Sequence, residues 1–144
     1  MPILAGQTIT ETTLNRLRPK TYFAVGSGQV VGALTNADVT DATITLTTET
    51  AGAEYEAECV WDFDATATGT GNSSARMALD GLPQTPLATF GGNDTAERAS
   101  VAQNYHGTLP TAGSHTFKLL ASPVAGHQVQ GVNSSIKVTI KEVV

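Results

Sequence analysis

The stretch from Glu54 to Asp64, which reads EYEAECVWDFD, constrains the fold more than any other part of the chain. Apolar side chains occupy every second position, and the residues between them are mostly acidic. Because successive side chains of a β-strand point to opposite faces, this alternation predicts a half-buried strand with aromatic residues on one face and carboxylates on the other. Trp61 and Cys59 fall on the apolar face. The strand therefore needs a sheet around it and a second layer against which its apolar face can pack.

Further strand signals recur along the chain at intervals of about 10 to 15 residues, separated by clusters of Gly, Pro, Asn, Asp and Ser. No segment between them has the length and periodicity of a crossover helix, which disfavours parallel β-α-β units. The sequence therefore predicts an all-β fold, an antiparallel β-sandwich of the jelly-roll type with about eight strands. The predicted strands lie near 21–25, 29–34, 42–50, 54–64, 74–80, 86–90, 97–108, 114–122 and 135–143.

Residues 1–20 differ from the rest of the chain and predict a short N-terminal arm. Thr8 and Glu11 have the spacing of a capping box, and an apolar pattern follows them, which predicts a helix over about 9–18. A helix this short is not stable alone and needs a surface on which to dock. We therefore assign residues 1–20 to a docking arm and residues 21–144 to a β-sandwich domain.

The charge balance restricts the partners of the chain. With 8 Lys and Arg residues against 13 Asp and Glu residues, the formal charge is -5, which is the wrong sign for coating nucleic acid. The N-terminus lacks the basic and apolar regions of a signal peptide, and no window reaches the ~18 apolar residues of a membrane span. We expect synthesis in the cytoplasm, with no nucleic-acid or membrane partner.

The sequence offers little that could hold a metal ion or a cofactor, and we expect neither. The three histidines, which lack the spacing of metal ligands, are His106, His115 and His127. The run from Asp62 to Asp64 resembles the start of a calcium loop. However, Ala67 stands where the loop needs glycine and Ser73 stands where it needs a glutamate.

Catalytic signals are also weak. Alternate carboxylates on the acidic face would lie about 6 to 7 Å apart, within the range of a pair for sugar hydrolysis, but nothing predicts the desolvation that would raise one pKa. Ser114 and His115 lack the turn of a nucleophile elbow. We therefore expect no enzyme. A solvated sheet face, with Arg98, Lys118, Lys137 and Lys141 as cross-strand partners of the acids, is the preferred interpretation.

Several segments resemble small virion proteins encoded by tailed phages of actinobacteria, and the likeness covers nearly the whole chain. These segments are AGQTIT at 5–10, LNRLRP at 14–19, the Thr-rich strand at 42–50, LDG at 79–81, GSHTFKL at 113–119 and NSSIKV at 133–138. The resemblance implies a structural protein of the particle, either a head decoration protein or a short fibre protein. The strand count is also similar to trimeric jelly rolls of the tumour-necrosis-factor and C1q type.

From this resemblance we expect a capsid decoration protein that binds the major capsid protein on the outer surface of the head, stabilises the shell and forms a homotrimer. One alternative is a tail or head fibre module that binds host-surface carbohydrate, and the least favoured one is a carbohydrate-active enzyme. The predicted capsid contacts are Ile3, Leu4, Ile9, Leu14, Arg16 and Leu17. The residues predicted near a trimer interface, with ordinary core packing as the alternative, are Tyr22, Tyr105 and Phe117.

Overall fold

The computed structural model describes residues 8–69 and 71–143, and it shows the predicted all-β sandwich, in which two antiparallel sheets follow one short helix. Within those two ranges, no helix is long and apolar enough to cross a membrane. The elements are α1 (Glu11–Leu17), β1 (Lys20–Val25), β2 (Gln29–Val31), β3 (Ala37–Thr48), β4 (Ala53–Ala65), β5 (Ser73–Leu79), β6 (Leu82–Pro83), β7 (Ala88–Phe90), β8 (Arg98–Leu109), β9 (Gly113–Ser122), β10 (His127–Gln130), the 3-10 helix η1 (Gly131–Asn133) and β11 (Ser135–Lys141).

The order of the strands is that of a jelly roll. In sheet A, four strands lie side by side in the order β1, β11, β4 and β8. Beyond the end of β11, β10 pairs with the same edge of β4, and β2 pairs with β10 in the way that β1 pairs with β11. In sheet B, β3, β9 and β5 lie side by side, and β6 and β7 pair with opposite ends of β5. Successive long strands alternate between the sheets, so that most neighbours within a sheet are distant in sequence.

Strand β4 lies in the interior of sheet A and supplies much of the core. Cys59, Trp61 and Phe63 on its inner face are 0% exposed, as the alternation predicts. Sheet B contributes Phe117, which is also fully buried and meets the ring of Tyr55 edge-on with ring centroids 5.3 Å apart. Each large apolar side chain buried in this way contributes about 1.5–3 kcal/mol to folding. Burial raises the pKa of the Cys59 thiol to about 12, which fits a core residue.

Two neighbouring strands of sheet A are interrupted at the same level. The turn at 26–28 separates β1 from β2, and η1 separates β10 from β11. The Gly131 amide donates to the Gly28 carbonyl at 2.8 Å, which joins the two interruptions. A Cβ on Gly131 would lie 2.2 Å from the Ser27 carbonyl oxygen, so that only glycine fits there. At this level the turn at 26–28 and η1 take the place of paired strands.

The helix and one ion pair differ from the sequence-based predictions. Helix α1 is shorter than predicted, and its N-cap is Thr10 and not Thr8, since the Thr10 hydroxyl accepts from the Thr13 amide at 3.2 Å. Lys118 pairs with Asp38 at 2.8 Å and not with the acidic row, because its strand, β9, belongs to sheet B.

Two short strands were not predicted. Strand β10 lies within a segment that the sequence marks as loop, and β6 follows the turn at 80–81. Neither has a clear local pattern. Strand β10 forms because its backbone pairs with β4 on one side and with β2 on the other, both of which are far away in sequence.

Candidate functional site

The outer face of sheet A, which points away from sheet B, carries the acidic row predicted from the sequence. Strand β4 carries on this face, in order, Glu54, Glu56, Glu58, Val60, Asp62 and Asp64. Strand β8 pairs alongside all six, β11 alongside the first four, and β10 alongside Asp64. The Lys137 ammonium lies 2.5 Å from the Glu58 carboxylate, and the Lys141 ammonium lies 3.8 Å from the Glu54 carboxylate. The prediction that these two lysines pair with members of the acidic row is confirmed. Both pairs are exposed, and each contributes at most a few tenths of a kcal/mol.

Asp62 is an exception on this face because it is only 3% exposed. Arg98 from β8 donates from Nε to Oδ1 at 2.9 Å and also contacts Oδ2 through Nη2, and Asn133 donates its side-chain amide to Oδ2 at 2.8 Å. The hydrogen bond from Arg98 lowers the pKa of the Asp62 carboxyl, although burial opposes that shift. This cluster fastens η1 and β8 to β4. Because its hydrogen bonds are made within the protein, we interpret the cluster as structural.

An exposed apolar surface crosses the middle of the same face, and we call it the apolar band. It consists of Phe23, Val25, Val60, Ala102 and Val132. Val60 lies opposite Ala102 in the register of β4 and β8, and β1 carries Phe23 and Val25 on the same side. Phe23 is 64% exposed, Val25 is 44% exposed, and Val132, on η1 beside β1, is 58% exposed. Ser135 lies between Val25 and Val60 in this register, and exposed apolar side chains grouped on one face in this way are typical of interaction surfaces.

A groove of about 590 Å³ lies towards the end of the outer face where β4 begins, and we call it the Tyr55 groove. Strands β11, β4 and β8 form its base, and the residue just before β1 borders it. The groove is lined by Pro19, Glu54, Tyr55, Glu56, His106, Gly107, Thr108, Thr139 and Lys141.

The buried histidines hold the framework together. His127 Nδ1 lies 2.7 Å from the Ser73 hydroxyl, but both residues are 0% exposed, so that no substrate reaches this serine–histidine pair. His115 Nδ1 lies 2.7 Å from the Asp80 carboxylate, and its Nε2 lies 3.0 Å from the Thr111 carbonyl. Over residues 8–69 and 71–143, no group of three or more His, Cys, Asp or Glu residues is placed to hold a metal ion.

The predicted capsid-contact residues lie at the N-terminus. Ile3 and Leu4 are outside the described residues. The others lie in or next to α1: Ile9, Leu14, Arg16 and Leu17. Ile9 is 44% exposed and Leu14 is 53% exposed, while Arg16 and Leu17 are partly buried. None of the residues of α1, all of which the structure describes, is fully buried. The helix therefore presents apolar side chains that the described part of its own chain leaves uncovered.

The three residues predicted near a trimer interface lie mainly inside the sandwich. Phe117 is 0% exposed and Tyr105 is 4% exposed, and the Tyr105 hydroxyl donates to the Pro86 carbonyl at 2.8 Å. Burial raises the pKa of Tyr105 to about 12. Tyr22 is partly buried and packs against the core. A fully buried side chain offers no surface to a partner, so Phe117 agrees with the alternative of core packing.

Sequence reasoning missed both the apolar band and the Tyr55 groove. The apolar band could have been found from Tyr22 and Phe23, which are adjacent in a predicted strand. Adjacent side chains of a strand point to opposite faces, so only one of the two rings can face the core. The second depends on β11, β4 and β8 lying side by side, and Gly107 in β8 is covered by the ring of Tyr55, which lies 3.0 Å from where a Cβ would be. A glycine within a predicted strand indicates a close approach, but it does not show which group approaches.

No protein-family model and no curated protein sequence matches the chain. Among solved structures, the fold is similar to the tripod from the baseplate of bacteriophage Tuc2009, with a TM-score of 0.51 and 12% identity over 99% of this chain and 73% of that chain. The globular domain of zebrafish complement 1qA matches 88% of this chain and 97% of that chain at 10% identity, with a TM-score of 0.44. A structure of infectious bursal disease virus matches 88% of this chain and 38% of that chain at 13% identity, with a TM-score of 0.40. At such low identity, the likeness to the baseplate tripod establishes a shared sandwich fold.

Proposed function

We propose that this chain is a structural protein of a phage particle, and more specifically a decoration protein that binds the major capsid protein on the outer surface of the head. Two features support the proposal. The fold is similar to that of a phage baseplate protein over 99% of the chain. The sandwich is also preceded by a helix with exposed apolar side chains. In this proposal the chain performs no catalysis, and the buried pair of Ser73 and His127 serves only the framework.

The observation that carries the proposal is the state of helix α1. A seven-residue helix is far below the length that is stable in isolation, so its order must come from contacts. Ile9 and Leu14 are nevertheless about half exposed. A shell protein that covers these two side chains would remove apolar area from water, worth about 25 cal/mol per Å². Many copies on one shell would then stabilise it through repeated contacts.

We further propose that the apolar band joins copies of this chain into a homotrimer. The occupant we assign is a second copy, because the charges that border the band are already paired within the face. Lys137 pairs with Glu58, and Arg98 pairs with Asp62. Burying the band against another copy therefore covers exposed apolar side chains without leaving these charges unpaired.

The docking of the arm is tested on particles of the encoding phage made without the gene for this chain. Purified wild-type protein is expected to sediment with these particles. The variant I9S/L14S is expected to lose most of this binding while keeping the circular dichroism and melting temperature of the sandwich. The matched control is Asn15→Gln, another exposed position on α1. Unchanged binding of I9S/L14S would contradict the proposed arm, and no binding of the wild type would contradict the decoration function.

Self-association is tested by light scattering. The wild type is expected near three times the 14.9 kDa mass of the chain, and the variant F23S/V25S is expected near one times that mass. The control is Leu82→Ser, which removes another highly exposed apolar side chain, 69% exposed, from β6 in sheet B. A monomeric wild type would contradict self-association in solution, and dissociation by Leu82→Ser alone would place the interface elsewhere.

A further inference from the structure

The charges of the chain are divided unequally between the arm and the sandwich. The arm, residues 1–20, holds three basic side chains and one acidic side chain, which gives a net charge of +2. Residues 21–144 hold five basic and twelve acidic side chains, which gives -7 and completes the formal charge of -5. A charged surface orients a molecule whose two parts differ in sign, because it attracts one part and repels the other.

The arginines of the arm have no acidic partner. Neither Arg16 nor Arg18 forms an ion pair with a carboxylate of residues 8–69 or 71–143. In the sandwich, by contrast, four of the five basic side chains are paired with acids: Arg98, Lys118, Lys137 and Lys141. The positive charge of α1 and its C-cap therefore remains available to another molecule.

Arg16 is held in place without a partner. It shares one side of α1 with Thr13 and Leu17, and all three residues are partly buried. The Nε atom of Arg16 is buried and donates no hydrogen bond to any atom in the described ranges. An unpaired charged donor costs free energy, which an acceptor that reaches the guanidinium recovers. A side chain already fixed by packing also loses less freedom on binding, so Arg16 is arranged in advance for a carboxylate.

The exposed side of α1 combines apolar and basic side chains. Leu14 is 53% exposed, and Arg18, the C-cap residue four positions later, is also exposed. Ile9, just before the N-cap, is 44% exposed. A surface that covers Leu14 therefore also comes within reach of the long Arg18 side chain. Apolar groups of that surface would remove Leu14 from water, and a carboxylate at their border would pair with Arg18.

We infer that α1 docks on an acidic part of the shell protein, an apolar depression bordered by carboxylates that pair with Arg16 and Arg18. The inference rests on the proposed decoration function and adds the chemistry of the partner surface to it. The same carboxylates repel the sandwich, which carries the net charge of -7. The chain then approaches the shell with the arm first, and the sandwich stays directed away from the shell.

The test measures binding to phage particles that lack the gene for this chain. The particles are treated with nuclease, so that the acidic partner is protein and not released nucleic acid. Wild-type protein is sedimented with them at about 0.05 M and at about 0.5 M NaCl. Binding is expected to be about fivefold or more weaker at the higher salt, because salt screens pairs of charges and does not weaken apolar contacts.

Variants and controls locate the charge that matters. R16Q/R18Q is expected to bind about fivefold or more weakly than the wild type at the lower salt, and to lose most of the salt dependence. Lys118→Gln, the matched control, removes a positive charge of the sandwich and should bind as tightly as the wild type. Glu11→Gln, which removes the one acidic side chain of the arm, should bind at least as tightly. If R16Q/R18Q lowers the melting temperature, Arg18→Gln alone, at an exposed position, supplies the same test.

The outcomes separate this inference from the decoration function. Wild-type binding that salt does not weaken, or arginine variants that bind as tightly as the wild type, would overturn the acidic surface and leave decoration standing. An equal loss of binding in Lys118→Gln would also overturn it, because the effect would then be one of net charge alone. Absence of wild-type binding at both salt concentrations would overturn both.

Discussion

The ion pair between the buried Asp62 and the half-exposed Arg98 should be the most costly polar contact to break. Changing Arg98 to Met keeps most of the apolar stem and removes the donors that face the Asp62 carboxylate, which retains only the amide of Asn133. Hydrogen bonds to a charged group contribute about 1.5–3 kcal/mol. Because the Arg98 side chain is 47% exposed, water replaces part of what is lost, and we expect a net cost of about 2 kcal/mol. For a domain of this size the melting temperature falls by about 4–8 °C.

The assay is urea unfolding of the wild type, Arg98→Met, Asp62→Asn and the double variant. Trp61, adjacent to Asp62 and fully buried, is the only tryptophan and reports unfolding by its fluorescence. Asp62→Asn is expected to cost about 2–3 kcal/mol, since an amide brings a donor towards the donors of Arg98 and Asn133. The double variant should lose about 1–2 kcal/mol less than the sum of the single variants.

Two results would refute this reasoning. One is a cost of Arg98→Met below about 0.5 kcal/mol, no larger than that expected for Lys141→Met at the exposed pair with Glu54. The other is additivity of the two single costs. The pH dependence gives a further check. Because the folded-state pKa of Asp62 is lowered, its contribution is fully present above about pH 4, the unfolded value, and is lost as the pH falls through the folded value.

Two further predictions concern the framework. Burial opposes a charged His115 ring, but hydrogen bonds to Asp80 and to a backbone carbonyl outweigh it and raise the pKa of the ring. The stability advantage of the wild type over His115→Gln should therefore be full below about pH 6.5, the unfolded value. It should shrink as the pH rises through the raised folded-state pKa. A pH-independent difference in urea unfolding would contradict this. Gly131→Ala should lower the free energy of unfolding by about 3 kcal/mol or more, because its Cβ would lie 2.2 Å from the Ser27 carbonyl oxygen. Gly28→Ala has open space around its Cβ but a φ of +62°, and should lower the free energy of unfolding by about 1 kcal/mol. Thermal unfolding measures both. Equal costs would show that the close approach at Gly131 does not matter.

The predictions from sequence were most successful where a single strand decides the outcome. The alternation around Trp61 predicted both faces of β4, because the pleat of a strand sends neighbouring side chains to opposite sides whatever the partner strands are. Pairing of Lys137 and Lys141 with acids of this row was predicted from charge and alternation, since opposite charges on adjacent exposed rows attract, and the structure gives the individual pairs. Lys118 was assigned to the wrong sheet because its charge carries no information about strand order.

The candidate surfaces were predicted less well, because they depend on several strands at once. Phe117 and Tyr105 are aromatic and were considered for an interface, yet the packing of the two sheets places both in the core. Phe23, next to a core residue, instead emerges on the outer face with the rest of the apolar band. Which of two neighbouring aromatic residues faces solvent depends on which side of the strand the second sheet covers, and a local pattern does not contain that information.

The sequence by itself determined the fold class and the identity of the central strand, because these follow from periodicity and local propensity within short windows. Only the tertiary structure decided the strand order, the buried state of Asp62, the apolar band and the Tyr55 groove. The physical reason is that each of these arises where strands far apart in sequence become neighbours. The Asp62 carboxylate is buried only when Arg98 and η1 cover it, and the Tyr55 ring can pack over β8 only because Gly107 lies beneath it.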